Sequence, residues 1–307
     1  MTLVSRESAI LERWRAFWFE EIPPYNYALL RIFIGAVGAA TIIGAWNPAF
    51  WQLSGIVAPG GAGPWGWLTA HGFGDSAGFA LRWALLLGFL CLALGLWTPN
   101  ISVAIFLGSG AMVWWNPVPY SGAQQLLHNL TFPFVFADSG AVWSLDAWLR
   151  RRGGQATVAR TQPIWPLRLW QVQLAMMYLS AALWKMGNPD WRSGAALYYV
   201  LNNPTYQRFP GVLPSWMFGG TVALSHLTIV WEAAFPVLVW FRRTRPAMLL
   251  IGLALHLGMW TTLEVGAFMP TVLVAYLAFL DPWQTERRVR RWLPSARAVV
   301  PSGSPGR

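Results

Sequence analysis

Residues 25–45 read YNYALLRIFIGAVGAATIIGA, an apolar run interrupted by one charge, Arg31. At ~1.5 Å per residue, about 20 such residues cross the ~30 Å hydrocarbon layer of a bilayer, so this stretch predicts a spanning helix. Seven further apolar runs follow it, at Phe79–Leu96, Ile101–Trp115, Gly122–Ala137, Leu167–Met186, Gly220–Trp240, Pro246–Thr262 and Val265–Leu280. The expected fold is all-α and polytopic, with about eight transmembrane helices. The third and fourth runs are short; they either cross a thin region or form a re-entrant pair.

Composition agrees. The 307 residues are 55% hydrophobic and only 11% charged, with a mean hydropathy of +0.41. Globular domains carry roughly 25% charged residues, so a water-soluble monomer is excluded. The net charge of +10 would suggest nucleic acid in a soluble domain. Here the basic residues flank the apolar runs and no stretch interleaves them with stacking aromatics, so the expected partners are membrane lipids and not nucleic acid. Cys91 is the only cysteine, which excludes a disulfide scaffold, a CxxC pair and a zinc-thiolate site. Met1–Tyr25 is studded with Glu and Arg and does not have the form of a signal peptide.

Arginine placement orients the chain. With the N-terminus inside, Arg150–Arg152 with Arg160, then Arg242, Arg243 and Arg245, then Arg287, Arg288, Arg290 and Arg291 all fall on the cytoplasmic side. Outside remain Arg192 and Arg208, with Arg82 at a helix mouth. This asymmetry predicts a multi-pass inner-membrane protein with both termini cytoplasmic. Ile10, Trp14, Phe17 and Trp18 recur at helical spacing, so residues 1–24 are expected to form an amphipathic helix on the cytoplasmic headgroups. Residues 25–282 form the membrane domain. Residues 283–307 form a basic cytoplasmic tail, with the Pro, Ser and Gly-rich stretch from Pro294 expected to be disordered. Trp46, Trp97, Trp114, Trp115, Trp170, Trp184 and Trp240 lie near span ends as interfacial anchors. Outside, Trp46–Gly78 is expected to cap the mouth, and Asp190 to N-cap a short interfacial helix within Gly187–Gly219.

Ionisable side chains within spans are costly unless paired, which makes Arg31, His128, Lys185, His226, Glu232 and His256 the candidates, with Glu264 at an outer helix end. Lys185 is the only lysine among 22 basic residues. A desolvated lysine can give up its proton and arginine cannot, so Lys185 is the candidate base; its plain alternative is an interfacial anchor. His128 and His226 lie about two turns below outer helix ends and are the candidate catalytic partners of Lys185. Glu232 and His256 lie at similar depth above the turn at Arg242–Arg245, and a clasp between them, direct or through one water, is expected, structural or relaying a proton. Gly61–Gly66 formally matches GxGxxG but has no strand before it and is rejected as a nucleotide site. No HExxH, Walker A or GxSxG is present and no metal site is expected.

The run QVQLAMMYLSAALWKMG from Gln171 to Gly187, continuing through Trp191, Arg192, Ser193 and Gly194 to Tyr199, resembles the HTTM family, which includes vitamin K-dependent gamma-glutamyl carboxylase and bacterial relatives. Glu232-Ala-Ala-Phe-Pro236, Arg242–Arg245 with His256-Leu-Gly, and Val142-Trp-Ser-Leu-Asp146 are similar too. The resemblance covers most of Tyr25–Pro282. It implies a lysine base at Lys185, supporting roles for Glu232, His256 and Trp191, a reduced quinone of the vitamin K kind as cofactor, and a peptide substrate or partner subunit. The carboxylase's large lumenal domain has no expected counterpart after the eighth span. The reading that follows is proton abstraction by Lys185 from a peptide or quinone-like lipid at an outward-facing cavity. Its rivals are a non-enzymatic membrane partner in peptide maturation or immunity, and a small lipid or proton carrier.

Overall fold

Helices form at all eight apolar runs, and the residues between them explain where they stop. In the computed structural model, residues 3–44, 64–115, 122–154 and 160–292 are described. Most of the expected outer cap, much of the GxGxxG match and the tail from Pro294 lie outside those residues. The chain divides into two units, residues 1–170 with 277–307, and residues 171–276.

The first unit opens with α1 (Leu3–Phe19), whose Ile10 and Trp14 are exposed as an interfacial face requires. Strand β1 (Glu21–Ile22) pairs antiparallel with β2 (Gln162–Pro163), a two-residue departure from the all-α expectation, bounded by prolines that cannot extend it. Next come α2 (Tyr25–Gly44), α3 (Pro64–Ala70), α4 (Gly74–Leu94) and α5 (Thr98–Trp115). Helix α2 approaches α4 closely because Gly35 and Gly38 offer no side chain. A Cβ on Gly35 would lie 2.6 Å from the Ala93 backbone nitrogen, and one on Gly38 would overlap the Phe89 ring. The fourth run forms only α6 (Gly122–Thr131), ten residues, before Pro133 leads it into a 3-10 turn, Phe132–Val135. At ~15 Å, α6 reaches about half the hydrocarbon thickness.

Arg31 is fully buried and is satisfied by carbonyl oxygens. Its guanidinium donates to Leu92 (2.8 Å), Ala93 (2.6 Å), Ser139 (2.9 Å) and Trp143 (2.6 Å). It therefore ties the last turn of α4 to the segment before α7 (Leu145–Arg152). Trp170, expected at the interface, is instead wholly buried and donates its indole N–H to Leu130 (2.8 Å), because its polar tip finds a carbonyl inside. Helix α8 (Trp165–Gly187) starts in this unit and ends in the second.

The second unit continues with α9 (Pro189–Ser193), α10 (Ala196–Leu201), α11 (Phe218–Leu238), α12 (Arg245–Thr262) and α13 (Phe268–Tyr276). The first unit then ends in α14 (Pro282–Trp292). By length and composition, three helices are long and apolar enough to cross a membrane: Tyr25–Gly44, Ser76–Leu94 and Ser215–Leu238. Thr98–Val113 and Phe268–Phe279 are shorter apolar helices.

Candidate functional site

In the second unit, α8 carries Lys185 in its last turn and α11 carries Glu232 on its buried face with Ser225, Trp231 and Phe235. Lys185 Nζ lies 2.6 Å from each oxygen of the Glu232 carboxylate. The two side chains are only 14% and 10% exposed, so little water competes for either charge. At this point α11 also loses a backbone bond. Pro236 has no N–H to offer the Glu232 carbonyl four residues earlier.

The segment after α8 brings an aromatic face to the same ammonium group, with Lys185 Nζ 5.0 Å from the Trp191 ring centre. Local chemistry fixes Trp191. Asn188, and not the expected Asp190, caps α9: its side chain accepts from the backbone N–H of Asp190 (2.9 Å) and Trp191 (3.4 Å). Pro189 at the first helical position shifts the cap back to Asn188, placing Asp190 inside the first turn. Gly194 closes α9 at φ +82°, and a Cβ there would lie 2.6 Å from Val222. His226 Nε2 donates to the Arg192 carbonyl at 3.0 Å. His226 thus holds the Trp191 segment against α11, and its ring stays exposed.

Deeper in the unit, Tyr178 OH lies 2.8 Å from His256 Nε2 and 2.7 Å from Tyr276 OH. Trp231 and Phe235 pack on Tyr178 with ring centres at 4.7 and 4.5 Å. Gly252 makes this approach possible, since a Cβ there would overlap Tyr276 OH and the Trp231 ring. His256 Nδ1 is buried and has no hydrogen-bond partner. No direct Glu232–His256 hydrogen bond forms among the described residues: the carboxylate engages Lys185, and the imidazole engages Tyr178. Similar depth on neighbouring helices does not set the direction in which each side chain points.

His128 belongs to the first unit. Its Nδ1 lies 2.7 Å from Ser109 Oγ, and its ring stacks on Phe106 at 4.8 Å and 10°. Glu264 pairs with Arg208 at 3.2 Å. Among the described residues no group of three or more His, Cys, Asp or Glu side chains could hold a metal ion.

Lys185, Glu232, Trp191 and the tyrosine-histidine group fall within a longer matched stretch. The family model for the HTTM domain matches residues 80–283, more than half of the chain. The chain belongs to the HTTM family. No solved structure matches it. The HTTM match takes in His128, Lys185, Trp191, His226, Glu232 and His256, whereas Arg31 and α1 lie before it. Tyr178 and Tyr276 also fall within the HTTM stretch, yet sequence reading did not select them. Tyr178 stands seven residues before Lys185, two helical turns along nearly the same face, and that spacing was the available signal. Tyr276 carries no such signal; only tertiary packing brings it to Tyr178.

Proposed function

We propose that this HTTM protein abstracts a proton from a peptide or a quinone-like lipid, with Lys185 as the base. The observation carrying this reading is the buried Lys185–Glu232 pair beneath the Trp191 ring. A proton can pass along the short hydrogen bond from ammonium to carboxylate without changing the pair's net charge. That transfer leaves a neutral amine, which takes a proton from the substrate and becomes ammonium again. Trp191 provides an aromatic wall for the reacting group. His226 acts through that wall as a positioning residue, and Tyr178, His256 and Tyr276 form a hydrogen-bonded chain able to move a proton through the unit.

The family resemblance implies a reduced quinone, and these residues fit one: a buried imidazole nitrogen without a partner, an amine and an indole face. His256, Lys185 and Trp191 would hold it. When bound, the reduced form, a hydroquinone, would supply an ionisable hydroxyl and reducing equivalents.

The test compares Lys185→Arg, Lys185→Ala and Glu232→Gln in a deletion strain, by mass spectrometry of its peptide and lipid fractions. The arginine variant is expected to fall as far as the alanine variant, by ~10²–10⁴-fold, at equal membrane abundance. Full activity of Lys185→Arg would make Lys185 an anchor and leave the non-enzymatic partner role as the better reading.

We also infer a bacterial inner membrane with both termini cytoplasmic and about eight crossings, the fourth completed beyond α6 by the 3-10 turn Phe132–Val135 and the residues after it, on the strength of the arginine asymmetry. Reporter fusions after Arg152, Arg245 and Arg291 are expected to give cytoplasmic signals. A periplasmic signal from any one of them removes the eight-crossing arrangement.

A further inference from the structure

In the second unit, the segment joining α10 to α11 turns its large apolar side chains outward. Within the run FPGVLPSWM, from Phe209 to Met217, Phe209 is 70%, Val212 83% and Trp216 80% exposed. No Asp, Glu, Lys or Arg occurs between Arg208 and Glu232. A loop that meets water ordinarily shows it polar side chains, so three such tips within eight residues call for an apolar surrounding.

The segment is tethered and not loose. The Gln207 side-chain amide donates to the Leu201 (2.8 Å) and Gly211 (2.7 Å) carbonyls. Asn202 accepts from the Leu213 N–H at 2.6 Å, and Tyr198 OH donates to the Leu213 carbonyl at 3.0 Å. On the other side, the Arg208 N–H donates to the Thr262 carbonyl (3.1 Å) and the Glu264 N–H to the Tyr206 carbonyl (2.8 Å). Pro204, Pro210 and Pro214 fix φ at three further points. These polar backbone groups therefore turn inward, onto α10 and the connection between α12 and α13, while the apolar tips stay outside. A non-helical segment in contact with lipid requires that arrangement, because an unpaired backbone group is costly there.

Helix α11 sets the level. The 24 residues Ser215–Leu238 are long and apolar enough to cross a membrane, so their first turn, with Trp216, falls at a bilayer surface. Phe209 and Val212 precede that turn directly and are held beside it by the bonds to α10. Beyond the turn, α11 keeps Leu224, Leu227 and Val230 exposed, so the apolar surface continues from the segment along a span-length helix. The last charges before the run belong to Arg208 and Glu264, paired at 3.2 Å, with the Arg208 guanidinium 5.6 Å from the Trp260 ring centre.

We propose that residues 209–217 lie in the membrane surface where α11 begins, with Phe209, Val212 and Trp216 at the boundary between headgroups and acyl chains. The Arg208–Glu264 pair stands at the aqueous edge of this wedge. Its partner is the lipid bilayer itself, which meets the apolar tips and the exposed side of α11 without a break.

The test puts a nitroxide label on one position at a time, as Phe209→Cys, Val212→Cys or Trp216→Cys in the full chain with Cys91→Ser. The carrier is a nanodisc of phosphatidylethanolamine and phosphatidylglycerol. Power saturation compares access of oxygen, which concentrates in hydrocarbon, with access of a water-soluble nickel chelate. All three labels are expected to favour oxygen, at depths of about 5–10 Å below the phosphates. Greater access of the nickel chelate at any of the three puts the segment in water and overturns the proposal. Low access of both reagents, as beneath a second copy or another protein, overturns it too. The unlabelled chain gives an independent reading. Hydroxyl radicals should oxidise Trp216 several-fold more slowly in the nanodisc than in the excised peptide, since the protein itself leaves that ring open. Equal rates would sink the proposal without any substitution.

Discussion

Lys185→Met is expected to destabilise the second unit by ~3–5 kcal/mol, because it leaves the Glu232 carboxylate buried without its cation. Both carboxylate oxygens bond to the one ammonium, which is their hydrogen-bond donor among the described residues. The double variant Lys185→Met, Glu232→Leu removes both charges and fills their volume with hydrocarbon. It is expected to recover the lost stability, since a buried pair replaced by apolar groups of similar size is often neutral or better. Thermal unfolding in detergent, followed by near-ultraviolet circular dichroism, reads both outcomes. If the single variant melts with the parent, the pair is not closed in the folded protein. Recovery of stability without recovery of activity would separate a chemical role for the pair from a packing role. Recovery of both would leave it no chemistry to perform.

What the sequence made legible was position along the chain, and what it hid was direction around each helix. Apolar run lengths located every long helix, and the solitary lysine drew attention to Lys185 before any partner was visible. The depth of Glu232 could be read from its distance to the Arg242–Arg245 turn, but equal depth did not reveal that its direct partner is Lys185 and not His256. Lys185 is 47 residues earlier in the chain, at the far end of another helix, and a flexible lysine stem bridges that gap where a short side chain would not. The motif Val142–Asp146 shows the converse case. Its resemblance could be recognised, but its physical meaning needed coordinates. The Trp143 carbonyl receives Arg31, Ser144 caps α7 through the Ala147 N–H, and Asp146 caps α5. Three residues within the span 143–146 thus terminate or tether three different elements, and no helical or strand period encodes that arrangement. The displaced cap at Asn188 was accessible in principle, since proline favours the first helical position and the residue before it then becomes the cap.

Arg31→Lys is expected to behave almost as badly as Arg31→Met, each costing the first unit about 3–5 kcal/mol. The reason is geometry and not charge alone. A guanidinium presents donors in a planar fork, and here the fork spans two carbonyls of the last α4 turn and two in the segment that follows Phe132–Val135. Those α4 carbonyls are among the last in the helix, where intrahelical donors run out, and a cation there also meets the negative end of the helix dipole. Leu92 keeps a second donor in the Gly95 N–H at 3.0 Å, so the loss falls mainly on Ala93, Ser139 and Trp143. An ammonium at the same site is one point with three donors and cannot reach both sides at once. Gly95 leaves no room for the structure to adjust, because a Cβ there would lie 2.6 Å from Arg31 Nη1 and would overlap Ser144. The measurement is the unfolding midpoint of the purified chain, with protease susceptibility of the 138–146 segment as a local readout. Arg31→Lys melting with the parent would show that positive charge alone closes this end of the unit, and the fork would then be incidental to its stability.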